Sequence, residues 1–274
     1  MRYKEVVAPK YKSTFMDKLF NRRLRNHLCN QELIIVAGDR GSGKSTMIAF
    51  MMEVLKQKGI DKVYSQFPYD GAYQIPLIPV HIPVKKIRSP TVRAAFPDGK
   101  TTYELDKEFL YASDLTNCAI FIDEAAAVWH ARSYTKWLLE DEELMQYLRK
   151  QKATLVALTQ NYDLIDLNIK RAANELWYLT KGWFHFTRVE ITETKTAKIA
   201  KADTEIVGKW VKKGMRQVTM EICEQPIMNT RFWRKPFYGL FDTYYMLSEK
   251  KHIPVPEWGE LYDFVNNQQK EVPV

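Results

Sequence analysis

Apolar residues fall in two kinds of run along this chain. Short unbroken runs, ELIIVA from Glu32, CAIFIDE from Cys118 and ATLVALTQN from Ala153, show no alternation, which is the mark of strands buried on both faces of a parallel sheet. The segment MIAFMMEVLKQKG from Met47 repeats its apolar positions at helical spacing, and Gly59 is suited to close that helix. KVYSQF from Lys62 reads as a further strand, and YELDKEFLYASDL from Tyr103 and residues 140–152 read as helices. Between them Pro76, Pro79, Pro83 and Pro90 predict an irregular excursion. The alternation of strands and helices predicts an α/β fold, a mainly parallel sheet with helices on both faces. From about Trp177 the period changes to two, in WFHFTRVEIT and RQVTMEICE, which predicts an antiparallel extension toward the C-terminus. At strand spacing Trp177, Tyr178, Trp183, Phe184 and Phe186 are expected in the core.

With 46% hydrophobic residues in 274, the chain can bury one large core, and a wholly disordered protein is excluded. No apolar run reaches the roughly 18 residues of a membrane-spanning helix. The opening MRYKEVVAPKYKS has charge but no apolar region behind it, so no signal peptide is expected and the location expected is a cytoplasm. Cys29, Cys118 and Cys223 are too far apart for a CxxC pair, and the five histidines have no metal-ligand spacing, so neither a disulfide scaffold nor a zinc site is expected.

Lysine and arginine number 41 against 33 acids, an excess of 8 that favours a polyanionic partner. Much of that excess lies in a basic N-terminal arm over residues 1–30, where FMDKLFNRRLRNHL sets Phe15, Leu19 and Phe20 near one helical face ahead of Arg22, Arg23 and Arg25. A second basic stretch, residues 195–216, carries Lys195, Lys198, Lys201, Lys209, Lys212, Lys213 and Arg216 within an extension predicted over 188–222. Both suit DNA held through its phosphates without sequence preference, and the arm equally suits a helix packed on the core with a solvated basic edge. The ATPase domain is placed at 31–250 and a polar tail at 251–274.

The chemistry begins at Gly38-Asp39-Arg40-Gly41-Ser42-Gly43-Lys44-Ser45, which fits GxxxxGK[ST] between a predicted strand and a helix beginning near Thr46. Glycines let backbone N–H groups close around phosphate oxygens, and the helix N-terminus adds favourable dipole charge. Lys44 is suited to the β and γ phosphates of ATP and the Ser45 hydroxyl to Mg²⁺. At the end of CAIFIDE, Asp123 is placed to hold the magnesium and Glu124 to act as base on the attacking water. The run TLVALTQN delivers Gln160 to the same sheet edge as a γ-phosphate sensor. Hydrolysis of this kind commonly takes a guanidinium from a neighbouring subunit; Arg149 is the first choice, with Arg171 and Arg132 as alternatives.

IFIDEAAAVWHARSY, then LRKQKATLVALTQNYDLID, then FYGLFDTYY resemble the Zot-type (zonula occludens toxin domain) ATPases with which filamentous phages assemble virions, members of the FtsK/HerA group of P-loop ATPases. The resemblance spans about 33–245 and includes Trp129, Arg132, Ser133, Arg149, Lys150, Gln160, Phe241, Asp242 and Thr243. It implies an additional-strand P-loop core, a homo-oligomeric ring and ATP-driven movement of DNA. The chain departs from the membrane-bound assembly proteins by having no membrane-spanning helix after the ATPase part and by its basic arm. The expected function is therefore a viral motor in the host cytoplasm that translocates DNA during genome packaging or virion assembly, docked on a capsid portal or a phage assembly complex. The alternative is a peripheral membrane assembly ATPase at the inner membrane face, without processive translocation. A small-molecule kinase is disfavoured, because Glu124 and a sensor glutamine suit water activation.

Overall fold

The computed structural model describes residues 11–28, 32–67, 69–86, 98–131, 139–201, 204–207, 210–213, 217–238 and 240. Its main sheet has eight strands. In chain order these are β1 (Leu33–Gly38), β2 (Lys62–Ser65), β3 (Tyr73–Gln74), β6 (Cys118–Ile122), β7 (Thr154–Thr159), β8 (Glu175–Lys181), β9 (Phe186–Lys201) and β12 (Gln217–Trp233). Two further ribbons pair β4 (Leu77–Ile82) with β5 (Lys100–Leu105) and β10 (Thr204–Val207) with β11 (Trp210–Lys213). The helices are α1 (Phe15–Phe20), α2 (Arg22–His27), α3 (Lys44–Gln57), α4 (Lys107–Ala112), α5 (Ala125–Val128), α6 (Leu139–Gln151) and α7 (Leu167–Ala172).

The sheet order is β12-β9-β8-β1-β7-β6-β2-β3, with every pairing parallel from β8 through β3 and antiparallel from β8 outward to β12. The strand carrying Asp123 is not beside the strand carrying the glycine loop: β7 intervenes, in register with both through Ala37↔Thr159 and Ile122↔Ala157. This is the additional-strand P-loop arrangement, and it brings the carboxyl ends of β1, β6 and β7 to one edge.

The unbroken apolar runs are explained by the two covered faces. Ile34, Val36, Phe121, Val156 and Leu158 pack with α3 and with Leu24 of α2 on one face. Leu33, Ile35, Ile120, Ile122, Leu155 and Ala157 pack with Leu110, Leu144, Leu148 and Ile169 of α4, α6 and α7 on the other. Each of these strand residues is fully buried or nearly so, and truncating one such as Leu155 to alanine costs about 2–5 kcal/mol.

Four local expectations are corrected. The proline-rich excursion contains the β4–β5 ribbon, because a proline in a two-stranded ribbon can turn its missing N–H away from the partner; Pro79 lies opposite Tyr103. The helix expected from Tyr103 begins only at Lys107, where the Asp106 carboxylate accepts from the Phe109 N–H at 3.1 Å and fixes the start. Of the aromatic residues expected in the core, Trp177 is buried and Phe186 partly so, but Tyr178, Trp183 and Phe184 are exposed. The basic arm is two short helices broken at Asn21: α2 buries Leu24 in the ordinary way, but the amphipathicity of α1 is reversed, with Phe15 77% exposed and Leu19 54%, while Asp17 and Asn21 are fully buried. Asp17 accepts from Arg25 Nη2 at 2.5 Å, from Asn21 Nδ2 at 2.7 Å and from the Tyr11 hydroxyl, so polar pairing holds the inner face.

Candidate nucleotide site

The glycine loop leaves β1 at Gly38, and the 14-residue helix α3 begins at Lys44. Gly43 caps that helix with φ +98°, in the left-handed region, and a Cβ there would come within 2.7 Å of the Arg234 side chain and 2.8 Å of Thr187 Oγ1. Glycine is therefore required at this position by backbone and by space. The Ser42 hydroxyl is buried in the loop and has no hydrogen-bond partner among the described residues. The Thr46 hydroxyl donates to Gly43 O at 2.8 Å, so Ser45 is the hydroxyl at the helix start that remains for a ligand. Asp39, Arg40 and Gly41 form the exposed tip.

Lys44 lies across the loop, its Nζ donating to Gly38 O at 2.6 Å and Asp39 O at 3.0 Å. Burial lowers its pKa, against the opposing charges of Asp123 and Glu124. Those two carboxylates follow β6 directly. The Glu124 N–H donates to Asp123 Oδ1 at 2.9 Å, and Glu124 itself has φ +47°, an uncommon left-handed conformation for a non-glycine residue, as the residue that opens α5. Gln160, just beyond β7, donates from Nε2 to Glu124 Oε2 at 3.2 Å. Desolvation raises the pKa of both acids, and the Asp123 charge raises Glu124 further. The sheet edge thus joins Lys44, Asp123, Glu124 and Gln160, all expected from the sequence, in one charged cluster.

A second network fixes α5 from behind. The buried Asp141 carboxylate accepts from Trp129 Nε1 at 2.8 Å, the Tyr111 hydroxyl at 2.6 Å and Lys107 Nζ at 2.7 Å, tying the end of α5 to α4 and α6. Its effect is to hold the segment that starts with Glu124. Ser45 and Asp123 offer a hydroxyl and a carboxylate, hard oxygen donors that fit Mg²⁺, which takes one or two protein groups and completes its shell with phosphate oxygens and water.

The arginine chosen to act across subunits lies elsewhere. Arg149 is 83% exposed near the C-terminus of α6, with its Nε 3.2 Å from Glu32, so it sits at the sheet edge opposite the glycine loop. Arg171 is exposed on α7, and Arg132, Ser133, Phe241, Asp242 and Thr243 lie outside the described residues, as do residues 1–10 and the tail 251–274. Among the described residues a guanidinium from outside the loop adjoins it: Arg234, just after β12, which no local sequence pattern singles out, donates from Nη1 to Gly41 O at 3.4 Å. The Thr187 hydroxyl of β9 donates to Ser42 O at 2.5 Å, a second tie that was missed for the same reason.

No protein-family model and no curated protein matches the chain. Solved structures do. The N-terminal domain of zonular occludens toxin from Neisseria meningitidis is 19% identical over 59% of this chain and 83% of that one, with a TM-score of 0.41. The genome packaging NTPase B204 from Sulfolobus turreted icosahedral virus 2, in complex with ATP-gammaS, is 14% identical over 61% of this chain and 93% of that one, with a TM-score of 0.39. Its complex with AMPPCP gives 16%, 61%, 94% and 0.41.

Proposed function

We propose that this chain is an ATPase that hydrolyses ATP to ADP and phosphate with Mg²⁺, and that turnover drives movement of DNA during viral genome packaging or virion assembly. The observation that carries the first half is the meeting of Lys44, Asp123, Glu124 and Gln160 at the mouth of a glycine loop. The loop N–H groups and Lys44 hold the phosphates. Ser45 and Asp123 would hold the magnesium ion, whose charge offsets that of the phosphate oxygens. Glu124 takes the proton from water as the water oxygen bonds to the γ-phosphorus and the bond to the β–γ bridging oxygen breaks, leaving ADP and phosphate. Gln160 keeps the Glu124 carboxylate turned into the site.

The second half rests on charge. Lys12, Lys18, Arg22 and Arg23 are exposed around α1 and α2, whereas Arg25 is engaged with Asp17, Tyr11 and Gln57 and belongs to the packing. In the second basic stretch Lys195 pairs with Glu193 at 2.9 Å; the backbones of Lys198 and Lys201 lie in β9 and those of Lys212 and Lys213 in β11, and Lys209 and Arg216 lie outside the described residues. Phosphate contacts from these surfaces give DNA binding without sequence preference. The working form is a homo-oligomeric ring in the host cytoplasm, docked on a capsid portal or phage assembly complex, with Arg149 acting on the neighbouring site.

One observation favours the peripheral membrane reading instead: Phe15, Met16 and Leu19 are exposed beside Lys18, Arg22 and Arg23, a pattern suited to anionic lipid. Phosphate release measured with and without DNA, over a salt series, separates the two. Stimulation by DNA that fades steeply with salt supports the motor; stimulation by anionic vesicles alone supports the membrane factor; a phosphorylated acceptor in place of free phosphate removes both.

A further inference from the structure

The turn between β8 and β9, residues 182–185, is fixed against the glycine loop. Arg234 makes the connection, donating from Nη1 to Gly41 O, from Nη2 to Phe184 O at 3.1 Å and from Nε to His185 O at 3.4 Å. Arg234 is 9% exposed, and among the described residues no carboxylate pairs with it. A guanidinium satisfied by carbonyl oxygens alone keeps a positive charge next to a loop built for phosphate. Thr187, two residues beyond the turn, ties β9 to Ser42 of the loop.

A turn held this firmly nevertheless presents its rings to solvent. Trp183 is 84% exposed and Phe184 86%. Phe184 also has φ +53°, a left-handed conformation that is a genuine outlier for a bulky residue and marks stored strain. Nothing in the apolar core asks for either ring, since neither belongs to the two buried clusters. What lies beside them is the glycine loop, one guanidinium away.

We infer that the turn is the nucleobase side of the same site: Trp183 and Phe184 stack on the base of the bound nucleotide, while Arg234 positions the turn relative to the loop. The inference rests on the reading of the loop as a nucleotide site and adds to it the part that holds the base. Aromatic faces accept any base face, so the ligand class is a nucleoside di- or triphosphate held by stacking with little reading of the base edge.

The test compares two probes on the full chain by calorimetry, ADP and inorganic pyrophosphate, since only the first has a base. Trp183→Ala with Phe184→Ala is expected to weaken ADP roughly 5- to 150-fold and leave pyrophosphate unchanged, and Trp183→Phe alone is expected to keep most of the ADP affinity. Unchanged ADP affinity in the double variant overturns the inference, including the case in which self-association is lost instead, which makes the turn a subunit contact. An equal loss for both probes also overturns it, because the turn then only supports the loop. If the unaltered protein binds neither probe, the nucleotide reading itself falls, a result distinct from either of these.

Discussion

Strands β1, β6 and β7 bring Gly38, Asp123 and Gln160 to one edge through apolar runs buried on both faces, whereas β9 and β12 place Val189, Ile191 and Phe232 in the core cluster on one face and add polar ties to their neighbours. On the flank Thr187 reaches Ser42, Arg234 reaches Gly41 and Asn21 reaches Trp233, while Thr194 reaches Ala173 O at the opposite edge of the sheet. The first kind of attachment is non-directional and strong in sum; the second depends on individual hydrogen bonds worth about 1 kcal/mol each. Chemistry that tolerates little displacement sits on the first, and the part that surrounds the loop combines the two, with Val189, Ile191 and Phe232 buried beneath its polar ties.

The comparison can be broken from the core side first. Arg149→Ala should lower turnover by about 10³-fold or more if its guanidinium acts across subunits, although its own chain keeps it at the far edge. Mixing that variant with Glu124→Gln should restore activity that neither shows alone; a mixture that stays inactive while an Arg171→Ala mixture recovers moves the role to Arg171. Glu124→Gln by itself should cost about 10²- to 10⁴-fold in kcat with nucleotide binding kept, whereas Lys44→Ala should remove binding. Normal phosphate release by Glu124→Gln would take the base role away from that residue.

On the flank the effects should be smaller and of another kind. Asp17→Ala removes the carboxylate that the Arg25 guanidinium, the Asn21 amide and the Tyr11 hydroxyl share, though Arg25 keeps Gln57 and Asn21 keeps Trp233 O, and should cost about 3 kcal/mol in chemical unfolding while kcat changes little. A stable Asp17→Ala protein would mean that the apolar contacts of Leu24 and Leu28 suffice there. The smallest effect expected is that of Arg22→Glu with Arg23→Glu: stability within about 0.5 kcal/mol of the original, but weaker DNA binding and a salt slope shallower by about 2. Unaltered binding and slope would restrict the arm to packing.

The same contrast explains what could be read from the sequence. The glycine loop, Asp123, Glu124 and Gln160 were legible because each ends an apolar run and its neighbours in sequence are its neighbours in space. Arg234 is more than a hundred residues from Gly41 and meets it because the end of β12 and the β8–β9 turn lie at the same sheet edge as the glycine loop, so no local pattern marks it. The reversed face of α1 was missed for a physical reason too: periodicity shows that one side is apolar, but a buried carboxylate with three donors can make the polar side the inner one. Trp183 and Phe184 had strand spacing and were expected in the core, yet they fall in the turn, where the alternation no longer decides which way a ring points.

Asn21 has a consequence for solubility. Its side chain accepts from the Trp233 N–H at 2.7 Å and donates to Trp233 O at 3.1 Å, so one amide occupies both backbone groups of a residue on the outermost strand, as a further strand would. An open margin of paired strands is a template for another chain, and proteins commonly blunt it with a charge, a bulge or a cover. Here α1 and α2 are the cover at that end of β12. A chain that lost residues 11–28 would therefore bare the Trp233 N–H and C=O at the outer margin of β12, beside the ring of Phe186, and edge-to-edge association could start from there.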